Sequence, residues 1–351
     1  ALRPNAHRAY ALRPAPDAEW LDVTSPGAAS GLRGSADRGL VSRGIAFDRD
    51  DPDQLVDYDL DGGQFLRSDD GGETWTRPLT FWDQWGGSQS VSIVGDHEYV
   101  LLGQFERFNG IAATTDGGRT WRFAAGADVG LPERSANPIA LDGIVALDGE
   151  PDRVVATIGG SVYLSVDAAA TWTRTLDGSY SVLAKGSDDR LYVADDAGVY
   201  RLERDGSATQ ELPGSPAGVD SLTVDPTAGT LYAVRWGVDD LSDGGISRWD
   251  GTVWTPVCLE PETCGSGLDR YTRDVAVDPT DPDHLVVATA DLPFHDVIGS
   301  QGVWESTDGG RTWAPFNEGL TVRRVTVIAF DPNRPRRLVA GTMGGGCLLY
   351  T

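Results

Sequence analysis

The eight residues Ser306-Thr307-Asp308-Gly309-Gly310-Arg311-Thr312-Trp313 recur along the chain, sharp in some copies and blurred in others. Ser68-Asp69-Asp70-Gly71-Gly72-Glu73-Thr74-Trp75 and Thr114-Thr115-Asp116-Gly117-Gly118-Arg119-Thr120-Trp121 are near copies, and Ser165-Val166-Asp167-Ala168-Ala169-Ala170-Thr171-Trp172 keeps the frame without glycine. Asp accepts hydrogen bonds from the backbone of its own turn, and glycine takes positive φ at little cost. Thr and Trp then open a strand whose indole packs inward. Each copy therefore marks a tight turn between antiparallel strands. Its aspartate is consumed by local donors, so these turns build the fold and do not carry chemistry.

The spacing sets the architecture. Trp75, Trp121 and Trp172 lie 46 and 51 residues apart, and the later equivalents are Gln210, Trp254 and Trp313. A second marker agrees in phase: Ile45-Ala46-Phe47-Asp48 returns as Val145-Ala146-Leu147-Asp148, Leu222-Thr223-Val224-Asp225, Val275-Ala276-Val277-Asp278 and Ile328-Ala329-Phe330-Asp331. Periods of this length mean a repeat architecture. Four-stranded units are expected at 44–79, 88–125, 141–176, 178–212, 217–258 and 272–318. Residues 322–351 supply three further strands, and residues 18–24 read as the missing fourth. The expected fold is all-β, a seven-bladed propeller of four-stranded antiparallel blades whose last blade is closed by the N-terminal strand. A two-sheet sandwich is the alternative, against which the even spacing argues. Residues 1–16 read as an arm, and 17–351 as a single propeller domain.

Composition narrows the partners. The formal charge of −24 disfavours nucleic acid and anionic membrane surfaces. No apolar run is long enough for a membrane span, and no signal peptide stands at Ala1. Cys258 and Cys264 bracket five residues in a polar loop and suit a small disulfide ring, while Cys347 sits in an apolar strand as a buried thiol. These features read as a secreted or extracellular monomer whose signal has been removed.

In a propeller the loops entering the innermost strands, and those between second and third strands, converge on one face. Several unusual residues fall there. Trp82, Trp85 and Trp236 stand outside the Thr-Trp frame and offer platforms for sugar rings, or plugs for the axial channel. Arg107 lies in the second unit's loop. Arg43, Arg273 and Arg324 stand at the starts of innermost strands of adjacent units, where they would grip an acidic group or pair with acids such as Asp274 or Asp278. Paired carboxylates about 5 to 9.5 Å apart are the machinery of glycoside hydrolysis. Asp59 and Asp61, facing Asp296 or Asp291, are the candidates. His295 as base with Tyr271 as acid, beside the arginines, is instead what a lyase needs next to a uronate carboxylate. No metal-ligand spacing, phosphate loop or serine elbow appears, so no cofactor or metal is implied.

The repeated Ser/Thr-x-Asp-Gly-Gly-x-Thr-Trp turn resembles the Asp-box (BNR) repeat of sialidase-like propellers. Within that group, the run from Asp48 through Trp75, with its Asp-Gly-Gly before an aromatic and Arg67, resembles the first blade of xyloglucanase-type endoglucanases. There the aspartate before Gly-Gly is catalytic, which implies Asp59 or Asp61 here, and the enzymes pair two propellers around a cleft where this chain has one. Arg43 sits where a sialidase's first carboxylate-binding arginine would, but Gly44-Ile45 replaces the Ile-Pro that should follow. The reading is a carbohydrate-active propeller acting as a glycoside hydrolase on a polysaccharide or oligosaccharide. The alternatives are a lyase on a uronate-containing glycan and a non-catalytic glycan- or protein-binding propeller.

Overall fold

A computed structural model of the chain describes residues 20–22, 42–59, 64–72, 74–80, 87–104, 107–133, 143–237, 244–260, 262, 264, 268–291, 300–320, 322–335, 337–342 and 346–350. Near the N-terminus lies β1 (Trp20–Asp22). Six four-stranded antiparallel blades then follow from contiguous chain. The first is β2 (Ser42–Phe47), β3 (Leu55–Asp59), β4 (Gln64–Ser68) and β5 (Thr76–Thr80); the second is β6 (Gly87–Val94), β7 (His97–Gln104), β8 (Arg107–Thr114) and β9 (Arg122–Ala124). The third holds β10 (Gly143–Leu147), β11 (Glu150–Ile158), β12 (Gly160–Ser165) and β13 (Thr173–Tyr180); the fourth β14 (Val182–Lys185), β15 (Leu191–Ala194), β16 (Val199–Leu202) and β17 (Thr209–Glu211). The fifth holds β18 (Ser221–Val224), β19 (Leu231–Arg235), β20 (Gly245–Trp249) and β21 (Trp254–Val257); the sixth β22 (Thr272–Asp278), β23 (Asp281–Thr289), β24 (Val303–Ser306) and β25 (Ala314–Pro315). The chain ends in β26 (Val325–Phe330), β27 (Leu338–Thr342) and β28 (Gly346–Tyr350), a sheet to which β1 adds a strand through Trp20↔Tyr350, Leu21↔Leu349 and Asp22↔Leu348. The six expected contiguous units thus hold as blades, with boundaries shifted by a few residues, in place of the seven blades the spacing led one to expect.

Second strands are buried on both faces, because each blade is packed between two others. They therefore read as continuous apolar runs where a one-faced strand would alternate. Val154–Ile158 in β11, Leu191–Ala194 in β15 and Leu285–Thr289 in β23 are buried throughout. The core lies between blades. Tyr99, Leu101 and Ile111 of the second blade interlock with Ile144, Ala156 and Trp172 of the third. Tyr232 and Val234 of the fifth meet Val275 and Leu285 of the sixth, and Leu55 and Trp75 of the first meet Val339 of β27.

The repeated turns take one geometry. In the sixth blade Asp308 Oδ1 accepts from Thr312 N and Arg311 N at 2.9 Å, Thr312 Oγ1 donates to Oδ2 at 2.6 Å, and Gly310 N donates to Ser306 Oγ at 2.9 Å. Asp70, Asp116 and Asp167 repeat the bonds to the Thr four residues on. In the third blade the left-handed positions fall on Ala168 (φ 56°) and Ala169 (φ 64°), where the other copies use glycine. That conformation costs an L-residue about 1–2 kcal/mol, and both alanines are buried in the core cluster that also holds Trp172 and Tyr99. The fourth and fifth blades use a shorter Asp turn, in which Asp205 holds Ser207 and Asp250 holds Thr252 and Val253. The fifth keeps its tryptophan at Trp254, and the fourth has Gln210 there.

At the end of the axis where innermost strands terminate, Arg49 of the first blade crosses to other blades. Its Nη1 lies 2.7 Å from Asp148 Oδ2 of the third and donates to Ser187 O of the fourth at 3.2 Å. Lys185 also pairs with Asp148. This end of the axis is tied together by charge.

Candidate functional site

The opposite end is where the innermost strands begin and the second strands finish. Neighbouring innermost strands are bridged there by side chains: Ser90 Oγ accepts from Ile144 N at 3.1 Å, Ser221 Oγ donates to Asp274 Oδ1 at 3.2 Å, and Ile328 N donates to Asp274 Oδ2 at 3.0 Å. Asp274 thereby ties three sheets to one carboxyl. Burial raises its pKa to about 6, against the lowering effect of the Ile328 and Val275 amides, the Ser221 hydroxyl and the Arg273 charge.

A register shift recurs at the mouth of these strands. Pairing slips between Ser42 and Gly44 in β2, Ser88 and Ser90 in β6, Thr272 and Asp274 in β22, and Val325 and Val327 in β26. The extra residues are Arg43, Gln89, Arg273 and Thr326. A bulge re-aims a side chain and is common beside binding sites. Two of the four, Arg43 and Arg273, were legible as arginines placed before a strand; Gln89 and Thr326 carried no such signal.

Among the described residues the site is built around Trp236 and Arg273. Trp236 follows directly on β19. Its backbone N donates to Asp220 Oδ2 at 2.8 Å, and its indole Nε1 donates to Ala290 O, beyond the end of β23, also at 2.8 Å. The Arg273 guanidinium carbon lies 4.3 Å from the indole centroid. This is a cation–π stack. Burial pulls the Arg273 pKa down, while Asp220 and Asp274 pull it back up. Tyr271 ends a 3-10 turn (Asp269–Tyr271), and its carbonyl accepts from Ala290 N at 2.8 Å. Gly237 N donates to Arg270 O of the same turn at 2.9 Å. The approach is close enough to require glycine at 244, where a Cβ would stand 2.6 Å from Arg270 Cα.

Arg324 does not join Arg273. It pairs with Asp291, which is buried and also bonded to Ser300 through both backbone amides, Asp291 N to Ser300 Oγ at 2.7 Å and Ser300 N to Asp291 Oδ2 at 3.1 Å. Asp291 is thus committed to Ser300 and Arg324 and is a poor catalytic partner. Asp278, the other acid expected near the arginines, caps its own turn and holds His284. Asp59 closes β3, the topological counterpart of Arg235 closing β19 and Thr289 closing β23, so its backbone belongs to the same face. Arg43 lies in β2 and Arg107 opens β8, and the side chains of these three are outside the described residues. Asp61, Trp82, Trp85, His295 and Asp296 also lie outside them. What sequence reasoning missed is Asp220, which fixes Trp236; its only signal was its place immediately before an innermost strand.

No family model matches the chain. A xyloglucanase from a Paenibacillus species is 26% identical over 334 residues, covering 77% of this chain and 30% of that protein. The chain spans about a third of the length of the curated relatives it matches. Among solved structures, the GH74 xyloglucanase from Xanthomonas campestris superimposes with a TM-score of 0.70 at 18% identity, over 95% of this chain and 53% of that one. YCF48 from Cyanidioschyzon merolae superimposes with a TM-score of 0.63 at 17% identity, over 95% of this chain and 98% of that one. The chain is therefore a β-propeller similar in sequence to xyloglucanases and in fold to proteins of more than one kind.

Proposed function

We propose that this propeller is a glycoside hydrolase acting on xyloglucan or a related polysaccharide at the face where Trp236, Arg273 and Asp59 converge. The similarity to the Paenibacillus xyloglucanase over most of the chain is the observation that carries the reaction class. The recurrent bulges at Arg273, Thr326, Arg43 and Gln89 support the location, since they lie in consecutive sheets around one side of the axis mouth. In this reading Asp59 or Asp61 acts as acid, base or nucleophile, with Asp296 as the second carboxylate. Trp82, Trp85 and Trp236 supply apolar faces for sugar rings, and Arg43, Arg107 and Arg273 grip hydroxyl or acidic groups. Arg273 already covers one face of Trp236, so sugar is received on the other face or against the guanidinium edge. The sheet shared by the two chain ends is taken as the seventh blade, closed by β1. The disulfide fits an extracellular setting.

A non-catalytic glycan- or protein-binding propeller is the second reading. It is favoured by the commitment of Arg324 to Asp291 and of Arg273 to Trp236, a site arranged to hold. Incubation with xyloglucan, mixed-linkage glucan and a polyuronate separates the readings. New reducing ends without unsaturated product mean hydrolysis; both together mean lyase action through His295 and Tyr271; retention on xyloglucan with neither means binding alone. For a hydrolase, Asp59→Asn or Asp61→Asn should lower turnover by at least ~10²-fold with an unchanged melting temperature. Full activity in both variants would remove these aspartates from the mechanism.

A further inference from the structure

We infer that the Cys258–Cys264 ring and the buried Asp269 form a positioning clamp for the Trp236–Arg273 pair. The inference rests on the reading that this pair belongs to the ligand site. The fifth and sixth blades are joined by the crossover between Val257 and Thr272, whose described residues add no strand to either sheet. It is closed near its start by the disulfide, with the two Cα atoms 5.0 Å apart. Asp269 is fully buried, and its Oδ1 accepts from Leu259 N, the residue after Cys258, at 2.6 Å. Leu268 N donates to Glu260 Oε2 at 3.3 Å, so two acid-to-amide bonds tie the ring to the 3-10 turn. Leu259 and Leu268 are both buried in the core between these blades.

From that anchored turn the path to the site is short. Arg270 O accepts from Gly237 N, beside Trp236, and Tyr271 O accepts from Ala290 N, whose own carbonyl receives the Trp236 indole. Two residues after Tyr271, Arg273 lies over that indole. One short turn thus fixes the loop bearing Trp236, the carbonyl that orients its ring and the strand bearing the stacked guanidinium. The sheets keep their own ladders without it. Losing the ring or the Asp269 carboxylate should therefore misplace the pair before it unfolds the blades. Asp269 acts through Trp236 and Arg273 as a positioning residue.

The full chain is tested as Asp269→Leu, which removes the acceptor at similar volume, and as Cys258→Ser/Cys264→Ser, with Trp236→Phe as spectroscopic blank. The first readout, which needs no ligand, is acrylamide quenching of the Trp236 emission obtained by difference from the blank. The second is retardation in gels containing soluble xyloglucan. Quenching of Trp236 should rise in both variants while unfolding stays cooperative, and affinity for xyloglucan should fall about tenfold, the order for a misplaced aromatic anchor. Unchanged Trp236 quenching in folded variants overturns the clamp. Should the double variant fail to fold, folded wild-type protein treated with dithiothreitol below its melting temperature replaces it, and unchanged quenching after reduction overturns the clamp equally. A wild type that xyloglucan does not retard refutes the ligand reading and leaves the quenching result to judge the clamp.

Discussion

Replacing Arg67 by methionine should be among the most damaging single changes outside the core. Arg67 stands on β4 of the first blade with its side chain 9% exposed, and it forms an ion pair with Glu98 of β7 in the second blade, 1% exposed. Its Nε donates to Asp69 Oδ1 at 2.7 Å and its Nη2 to Gln54 Oε1 at 3.1 Å. The guanidinium also underlies the second blade's turn, within 3.3 Å of where a Cβ on Gly118 would stand. Methionine fills much of the volume and keeps none of the charge. Glu98 is then left buried without a counter-ion, which costs about 3–5 kcal/mol. With an unfolding entropy near 2.1 cal/mol/K per residue, that is a fall in Tm of about 4–7 °C for a chain of this length. Calorimetry and denaturant unfolding of Arg67→Met, Glu98→Leu and the double variant should find the double within about 2 kcal/mol of wild type, because both charges leave together. A single variant within about 1 kcal/mol of wild type, or a double worse than Arg67→Met alone, would refute the view that the charge pair holds these blades together.

Three further outcomes follow from the titrating groups. Thr120 and Thr312 hold the Asp116 and Asp308 carboxyls down at about 2, so their stabilisation is present above the ordinary value of 3.8 and lost as pH falls through about 2. Asp308→Asn should lower Tm and leave turnover per folded molecule unchanged, as read by melting curves and active-site-normalised rates. His284 bonds to Glu305 and Asp278 at 2.9 Å each; these bonds, the Glu305 one foremost, raise its pKa against the effect of burial. Its contribution is complete below the ordinary 6.5 and fades as pH climbs through the raised value, so the pH dependence of Tm above 6.5 should flatten in His284→Gln. Asp274, raised to about 6, contributes most below 3.8 and loses that contribution as pH rises through about 6; Asp274→Asn should remove that part of the pH profile of Tm.

What could be read from the sequence was what repeats. Asp308, Asp116 and Asp167 spend their carboxylates on amides and hydroxyls within four residues, so the structure of those turns is written locally and survives even where Ala168 and Ala169 replace glycine. The fourth and fifth blades were harder because Asp205 and Asp250 close with fewer residues, and Gln210 stands where tryptophan was expected. The pairing of Cys258 with Cys264 was legible from spacing and polarity alone.

The site was less legible because its bonds join residues far apart in the chain. Arg324 and Asp291 are 33 positions apart, and Trp236 and Ala290 are 54 apart. Adjacent blades place such residues together only after the ring is assembled, and a residue's role then depends on which neighbour reaches it first. Arg273 and Arg324 occupy similar places before the axis mouth, yet one meets an indole and the other a buried carboxylate. The periodicity that locates both cannot tell them apart. The acid that decides the difference, Asp291, sits two residues beyond a second strand that is buried from Leu285 to Thr289, where its own burial calls for a charged partner. Arg324 is spent on one buried acid through a direct ion pair, whereas Arg273 shares its charge with Asp220 and Asp274 while stacking on its indole, so two arginines with the same spacing end with different partners.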